Sequence, residues 1–69
     1  MSVYKVIELI GTSSQSWEDA AASAVKKASE TLRNLRVAEV VKQDLDIAED
    51  GGVTYRTKLN VSFKFEGGA

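Results

Sequence analysis

Two long neighbouring stretches of strand-like sequence constrain the fold of this chain more than any other feature. In residues 53–66 every second side chain belongs to one mostly apolar set, and the residues between them are polar. Residues 36–47 are expected to form a second long strand, and Asp50-Gly51 in the loop between the two is a strong hairpin signal. At about 3.3 Å per residue each strand would be roughly 40 Å long, whereas a typical strand has about 5 or 6 residues.

The sequence before this hairpin predicts one strand and one helix. Residues 3–10 are mainly β-branched and apolar, which is typical of a strand covered on more than one side. Residues 14–34 place apolar side chains at helical spacing, and the many alanines in this stripe would let the helix lie close to a sheet. The stripe consists of Trp17, Ala20, Ala21, Ala24, Val25, Ala28, Leu32 and Leu35.

A turn is expected between the first strand and the helix. Gly11 would permit an unusual backbone conformation there. Thr12, Ser13 and Ser14 are all suitable helix N-caps, and Thr12 with Gln15 could form a capping box. A phosphate site at this helix start is the alternative, but the segment lacks the Gly-rich length and the Lys of a phosphate-binding loop, so we interpret it as a cap.

These elements give the order β-α-β-β in a single domain, residues 1–69. One helix and one short strand cannot cover such a hairpin, and its edges and apolar side chains need a partner. The chain has no Cys for disulfides and no His for a zinc or copper site, so association with identical copies is the support that remains, with a hard cation held by oxygens as a possible addition. The sequence therefore predicts a closed homo-oligomer.

The balance of charge argues against several classes of function. With 9 Lys and Arg against 10 Asp and Glu, no basic field would attract nucleic acid or an anionic membrane. No signal-peptide pattern or bilayer-length apolar run is present, and we expect a cytoplasmic protein. Without His or Cys the usual general base and the best nucleophile are missing, so we expect a binding protein and not an enzyme.

Three stretches of the sequence resemble the dodecin family in order and spacing. They are VYKVIELIGTS at 3–13, TLRNLRVAEV at 31–40 and YRTKLNVSF at 55–63. The resemblance implies an α+β fold in which a three-stranded antiparallel sheet wraps partly around one helix. It also implies a hollow shell of twelve copies that binds or stores small ligands, commonly flavins in stacked pairs, without known turnover.

The resemblance also marks two positions at which flavin-binding members carry other residues. Val37 stands where those members have a Trp that stacks on the flavin, and Arg56 stands where they have a Gln that hydrogen-bonds the ring. Val offers no flat surface, and Arg donates but cannot accept. We therefore expect weak or absent flavin binding and a closer likeness to the calcium dodecin branch. The alternatives are a flavin-storage protein that stacks the ring on Tyr55 or Tyr4, and a structural shell with an empty lumen.

Divalent cations, with calcium favoured, are the ligands that this branch implies. Calcium needs about six to eight oxygens, and no EF-hand loop is present, so a site would have to be assembled across subunits. Asp44, near the end of the second strand, and Glu18, near the helix start, are the candidate ligands, although surface solvation is the ordinary role of such carboxylates.

Two further side chains allow a functional and a structural interpretation. Trp17 could be a ligand platform, but its place in the helix stripe favours packing. Arg56 could bind an anionic ligand, or it could form an ion pair with a carboxylate such as Glu39 or Asp44 at a subunit contact. We favour the ion pair, because Arg is enriched at interfaces.

Overall fold

The computed structural model describes residues 1–65 and has the element order predicted from the sequence. Its elements are β1 (Tyr4–Ser13), α1 (Trp17–Ser29), β2 (Leu35–Ile47) and β3 (Val53–Lys64). The three strands form one sheet in the order β1-β3-β2, and both pairings are antiparallel. The predicted third strand extended to Glu66, which lies outside the described residues.

The helix is shorter at its start than the predicted 14–34, and the predicted N-caps are wrong. Gly11, Thr12 and Ser13 continue β1, because each pairs with a residue of β3. Ser16 is the N-cap, and its hydroxyl accepts a hydrogen bond from the backbone N–H of Asp19 at 3.0 Å. The hydroxyl of Ser13 donates to the Asp19 carboxylate at 2.6 Å and so ties the end of β1 to the first helical turn.

The helix also ends earlier than predicted, at Ser29 with Glu30 as the C-cap. The backbone N–H groups of Thr31 and Leu32 both donate to the carbonyl of Ala28. Asn34 then has a φ of 62°, a left-handed conformation that Asn tolerates better than most residues and that redirects the chain into β2. The last apolar residues of the predicted stripe therefore belong to the connection and to β2.

Gly11 serves a close approach of backbones and not the predicted turn. It pairs with Thr57 in the sheet, directly beneath the helix. A Cβ at this position would collide with the carbonyl oxygen of Ala20 and would lie 3.0 Å from the Cβ of Ala24. The small residues of the helix stripe thus meet a glycine in the strand, which lets α1 lie almost on the sheet.

The core is small and lies between α1 and the middle of β3. Leu59 and Val61 are each 1 % exposed, Thr57 is fully buried, and Ala20 and Ala28 face them from the helix. The helix packs mainly on β1 and β3 and touches β2 little. The chain measures 52 × 20 × 16 Å, so the β2–β3 hairpin projects well beyond the helix, as the strand lengths predicted.

Candidate functional site on the helix-free face

The two faces of the sheet differ in what covers them. On β3, Thr57, Leu59 and Val61 point to the helix, and the residues between them point to the other side, which we call the helix-free face. Two of the predicted functional positions, Val37 and Arg56, lie on the helix-free face, since Val37 pairs with Ser62 and Arg56 with Asp44.

A β-bulge at Val41 decides which side chains of β2 join this face. Val40 pairs with Leu59 on the helix side, but the next paired residue is Lys42, opposite Lys58. The extra residue shifts the alternation by one, so that Lys42 and Asp44 point away from the helix. Strict alternation from Val40 would have placed both on the helix side.

Asp44 and Arg56 form a two-pronged ion pair across β2 and β3. Arg56 Nε donates to Asp44 Oδ1 at 2.7 Å, and Arg56 Nη2 donates to Asp44 Oδ2 at 3.1 Å. These hydrogen bonds lower the pKa of Asp44 and raise that of Arg56. The predicted ion pair is confirmed, and it forms within one chain, where we had expected a contact between subunits.

Lys42, Lys58 and Glu8 complete the charged group around this pair. Lys58 Nζ lies 3.6 Å from Glu8 Oε1 of β1, while Lys42 makes no ion pair among residues 1–65. A cavity of about 80 Å³ opens between the side chains of Ile10, Lys42, Asp44, Arg56 and Lys58. Lys42 and Lys58 were not predicted as site residues from the sequence. The alternation of residues 53–66 puts Lys58 on the same face as Arg56, whereas Lys42 reaches that face only because of the bulge.

Val37 is widely separated from Arg56 within one chain. Its partner Ser62 lies six residues along β3 from Arg56, which is about 20 Å at about 3.3 Å per residue. The Val37 side chain is 62 % exposed and offers an aliphatic surface only. A single planar ligand therefore cannot reach both positions in one chain, and a site that uses both must draw on a second copy.

Tyr55 lies on the opposite side of the sheet from Arg56. Its ring meets the Trp17 ring edge-on, with 5.1 Å between centroids and an interplanar angle of 84°. Trp17 Nε1 donates to the backbone carbonyl of Asp44 at 3.0 Å, and the Thr57 hydroxyl donates to the Trp17 carbonyl at 2.9 Å. Trp17 thus packs as the sequence predicted and fixes the start of α1 to β2 and β3. A buried Trp usually donates its indole N–H to an acceptor, and this rule could have predicted the hydrogen bond from Trp17 to the sheet.

The two predicted metal ligands are not brought together within one chain. The Asp44 carboxylate faces away from the helix and is held by Arg56, whereas Glu18 is exposed in the first turn of α1. No group of three or more acidic side chains suited to a metal ion occurs among residues 1–65. A calcium site that included either residue would need oxygens from a neighbouring copy.

Comparison with known proteins assigns the chain to a family. The family model for dodecins matches residues 3–66, which is nearly the whole length. The chain belongs to the dodecin family. The likeness of its three quoted stretches to dodecins is thereby confirmed, as is the β-α-β-β fold with a three-stranded antiparallel sheet and one helix.

Individual dodecins resemble this one in both sequence and structure. The calcium dodecin of Mycobacterium tuberculosis is 56 % identical over 64 residues, covering 93 % of this chain and 90 % of the relative. Its crystal structure, described as containing a novel calcium-binding site, superposes with a TM-score of 0.89 at 51 % identity, covering 99 % and 97 % of the two chains. The dodecin of Thermus thermophilus is 41 % identical over 64 residues, 93 % of each chain.

No helix among the described residues of this dodecin has the length and apolar character needed to cross a bilayer. The helix α1 has 13 residues, with acidic side chains in its first turn and basic side chains in its last turn.

Proposed function

We propose that this dodecin is the single-domain subunit, residues 1–69, of a hollow homododecamer that binds divalent cations, with calcium favoured, and has little or no affinity for flavins. It acts in the cytoplasm as a binding or storage protein and not as an enzyme, with no nucleic acid or membrane as partner. The observation that carries the cation assignment is the 56 % identity with a protein named calcium dodecin.

The state of the two flavin positions supports weak flavin binding. The Arg56 guanidinium is engaged by both oxygens of Asp44, so a flavin ring would have to compete with a carboxylate for its donors. Val37 is exposed, but its aliphatic side chain cannot stack on a flavin ring. The binding free energy of an aromatic pair, roughly 0.5–1.5 kcal/mol beyond area burial, is therefore missing.

Calorimetric titration of the metal-free, assembled protein with calcium tests the cation assignment. We expect saturable binding that weakens by about tenfold or more in Asp44→Asn or Glu18→Gln, because a hydrogen-bonded or coordinated charge contributes roughly 1.5–3 kcal/mol. Glu49→Gln, an exposed carboxylate in the hairpin loop, is the matched control and should bind as the parent does.

The absence of saturable calcium binding would refute the cation assignment. Loss of binding in the Glu49 variant alone would refute the choice of ligands. Native mass spectrometry of the same samples reports the number of copies and any retained ion.

Flavin storage is the second candidate, and the position of Tyr4 favours it. Tyr4 begins β1, shares the helix-free face with Ile10, and is 50 % exposed, so its ring is open to a ligand. Tyr55, the other proposed stacking group, packs against Trp17 on the helix side.

A fluorescence titration with riboflavin and FMN separates the two candidates. A Kd below about 1 µM for the unmodified protein would support flavin storage and contradict the first proposal. The double change Val37→Trp and Arg56→Gln should raise flavin affinity, because it restores a stacking surface and a two-way hydrogen-bonding amide. No gain would mean that these positions do not form the flavin site.

A further inference from the structure

The tip of the β2–β3 hairpin, residues 45–55, carries apolar side chains that the chain itself leaves exposed. Tyr55 packs against the start of α1, so the side chains that share its face also lie on the helix side of the sheet. They are Leu45, Ile47 and Val53, which are 41 %, 69 % and 41 % exposed. The helix cannot cover them, because from its start beside Tyr55 it runs away from the tip, over Gly11 and towards Ile7.

A second apolar surface is open at the other end of the helix. A groove of about 390 Å³ lies between the second half of α1 and the strand β1, and we call it the α1–β1 groove. The strand contributes Ile7 and Leu9, the helix contributes Ala24 and Ala28, and Leu32 follows the helix. The groove is therefore lined mainly by apolar side chains.

The tip of a chain cannot reach the groove of the same chain. Ile47 of the tip pairs with Val53. Ile7 of the groove pairs with Val61, which lies eight residues further along β3. At about 3.3 Å per residue the two surfaces are about 26 Å apart. A contact between them must therefore join two copies of the chain.

The charges near the two surfaces are opposite in sign. The tip has three acidic residues and no basic one, and they are Asp46, Glu49 and Asp50. Residues 26–33, at the groove end of the helix, have three basic residues and one acidic residue, and they are Lys26, Lys27, Arg33 and Glu30. Lys5 shares the face of Ile7 on β1 and adds a fourth cation.

The carboxylates close to the groove do not cancel this difference. Glu30 lies 3.5 Å from Lys27, but both side chains are more than half exposed, and such a pair contributes little. Glu8 points to the opposite face of β1, where it lies beside Lys58. An acidic tip from a second copy would thus meet a basic surface around an apolar groove.

We propose that the hairpin tip of one copy docks in the α1–β1 groove of a neighbouring copy. Ile47 enters the apolar lining, and the acidic tip faces the basic end of the partner's helix. The contact is heterologous, since two different surfaces meet, and contacts of this kind can close into a ring. The inference rests on the proposed homo-oligomeric shell and names the surfaces that join its copies.

Disulfide trapping tests which surfaces meet, because the chain has no Cys of its own. The double variant Ile47→Cys and Thr31→Cys places one thiol on the tip and one at an exposed position of the groove. The two positions are too far apart for a bond within one chain, so oxidation of the assembled protein should link neighbouring copies. Non-reducing gels should show covalent products that stop at one closed ring.

Each single Cys variant is the matched control and should give no covalent product, because the tip does not meet another tip and the groove does not meet another groove. A short bis-maleimide linker is applied to the same variants, since it tolerates a small offset between the two thiols.

Sedimentation measures what the apolar contact contributes. Ile47→Asp should raise the concentration at which half of the assembly dissociates by about tenfold or more, because a charge replaces an apolar side chain at the contact. Ile47→Val keeps the site apolar and should assemble nearly as the parent does. Ala22→Asp adds the same charge at an exposed helix position outside the groove and should also assemble as the parent does.

The outcomes separate this proposal from the proposed shell. An intact assembly of twelve copies in which the double Cys variant gives no covalent product, by oxidation or with the linker, would overturn the docking and leave the shell standing. Covalent products from the single variants alone, or equal weakening in Ile47→Asp and Ala22→Asp, would also overturn it. A monomer at every concentration would refute the shell and the docking together.

Discussion

The Asp44–Arg56 pair shows how one residue contact depends on the backbone around it. Both side chains are partly exposed, at 33 % and 43 %, so the pair remains within reach of solvent. Its two hydrogen bonds nevertheless have good geometry, because the residues are direct cross-strand partners on one face. Two of the five guanidinium donors of Arg56 are thereby engaged within the chain, which is the residue-level reason for expecting poor flavin binding.

At this scale we predict a pH-dependent contribution of Asp44 to stability. Arg56 lowers the pKa of Asp44 in the folded state below the ordinary value of 3.8, so the unfolded state takes up the proton first. The stability that Asp44 contributes is therefore fully present above about pH 5 and is lost as the pH falls through the folded-state pKa. The free energies of unfolding in urea of the parent and of Asp44→Asn should differ above about pH 5 and converge once the pH falls below the folded-state pKa of Asp44.

Asp46→Asn is the control for this prediction. Asp46 lies on the same strand and face but makes no ion pair among residues 1–65. A difference between parent and Asp44→Asn that persists at pH values well below 3.8 would contradict an electrostatic origin.

At the scale of elements, the contact between α1 and β1 depends on the absence of a side chain at Gly11. The strand runs straight through this residue, and the helix lies so close that its Ala20 carbonyl occupies the space of a Cβ. The backbone of a helix cannot rotate away as a flexible side chain could, so any larger residue must displace the whole element.

We predict that Gly11→Ala destabilises the protein by about 3 kcal/mol or more, at the upper end of the cost of overpacking a core. Gly51→Ala is the matched comparison: Gly51 has a φ of 90°, and nothing lies within 4 Å of an added Cβ. Its cost should be limited to the left-handed backbone, about 1–2 kcal/mol. Thermal unfolding of both variants measures the difference, and equal costs would show that the close approach is not what requires glycine at position 11.

At the scale of the whole molecule, the chain leaves much apolar surface uncovered. Large apolar side chains on β2 are between 41 % and 69 % exposed, and they are Val37, Val40, Val41, Leu45 and Ile47. In the part of a single chain that the structure describes, both outer strands, β1 and β2, have an unpaired edge. Such surfaces are rarely left open in a stable monomer and instead mark interfaces.

We predict that folding and assembly are coupled, so that the unfolding temperature rises with protein concentration. A subunit with four buried apolar residues among residues 1–65 and this much exposed sheet should lose structure when it dissociates. Sedimentation combined with circular dichroism over a dilution series measures both properties. A well-folded monomer at low concentration would contradict this expectation and with it the shell.

Several features of the fold follow from local pattern and were predictable. The strict alternation in β3 identifies its buried face, and Asp50-Gly51 identifies the hairpin. The helix limits were not predictable to the same degree. Ser13, Ser14 and Ser16 are equally suitable N-caps by residue type. Only the pairing of Ser13 with Tyr55 shows that β1 extends to Ser13, so that the helix must begin after it.

The sequence by itself determined the order of elements and the length of the hairpin, because these depend on side-chain periodicity and on the turn residues between the strands. The tertiary structure alone decided which charges meet. The bulge at Val41 reverses the faces of β2 beyond it, and in doing so it places Lys42 and Asp44 beside Lys58 and Arg56. A one-residue shift leaves almost no trace in composition or periodicity, yet it moves every following side chain to the other side of the sheet.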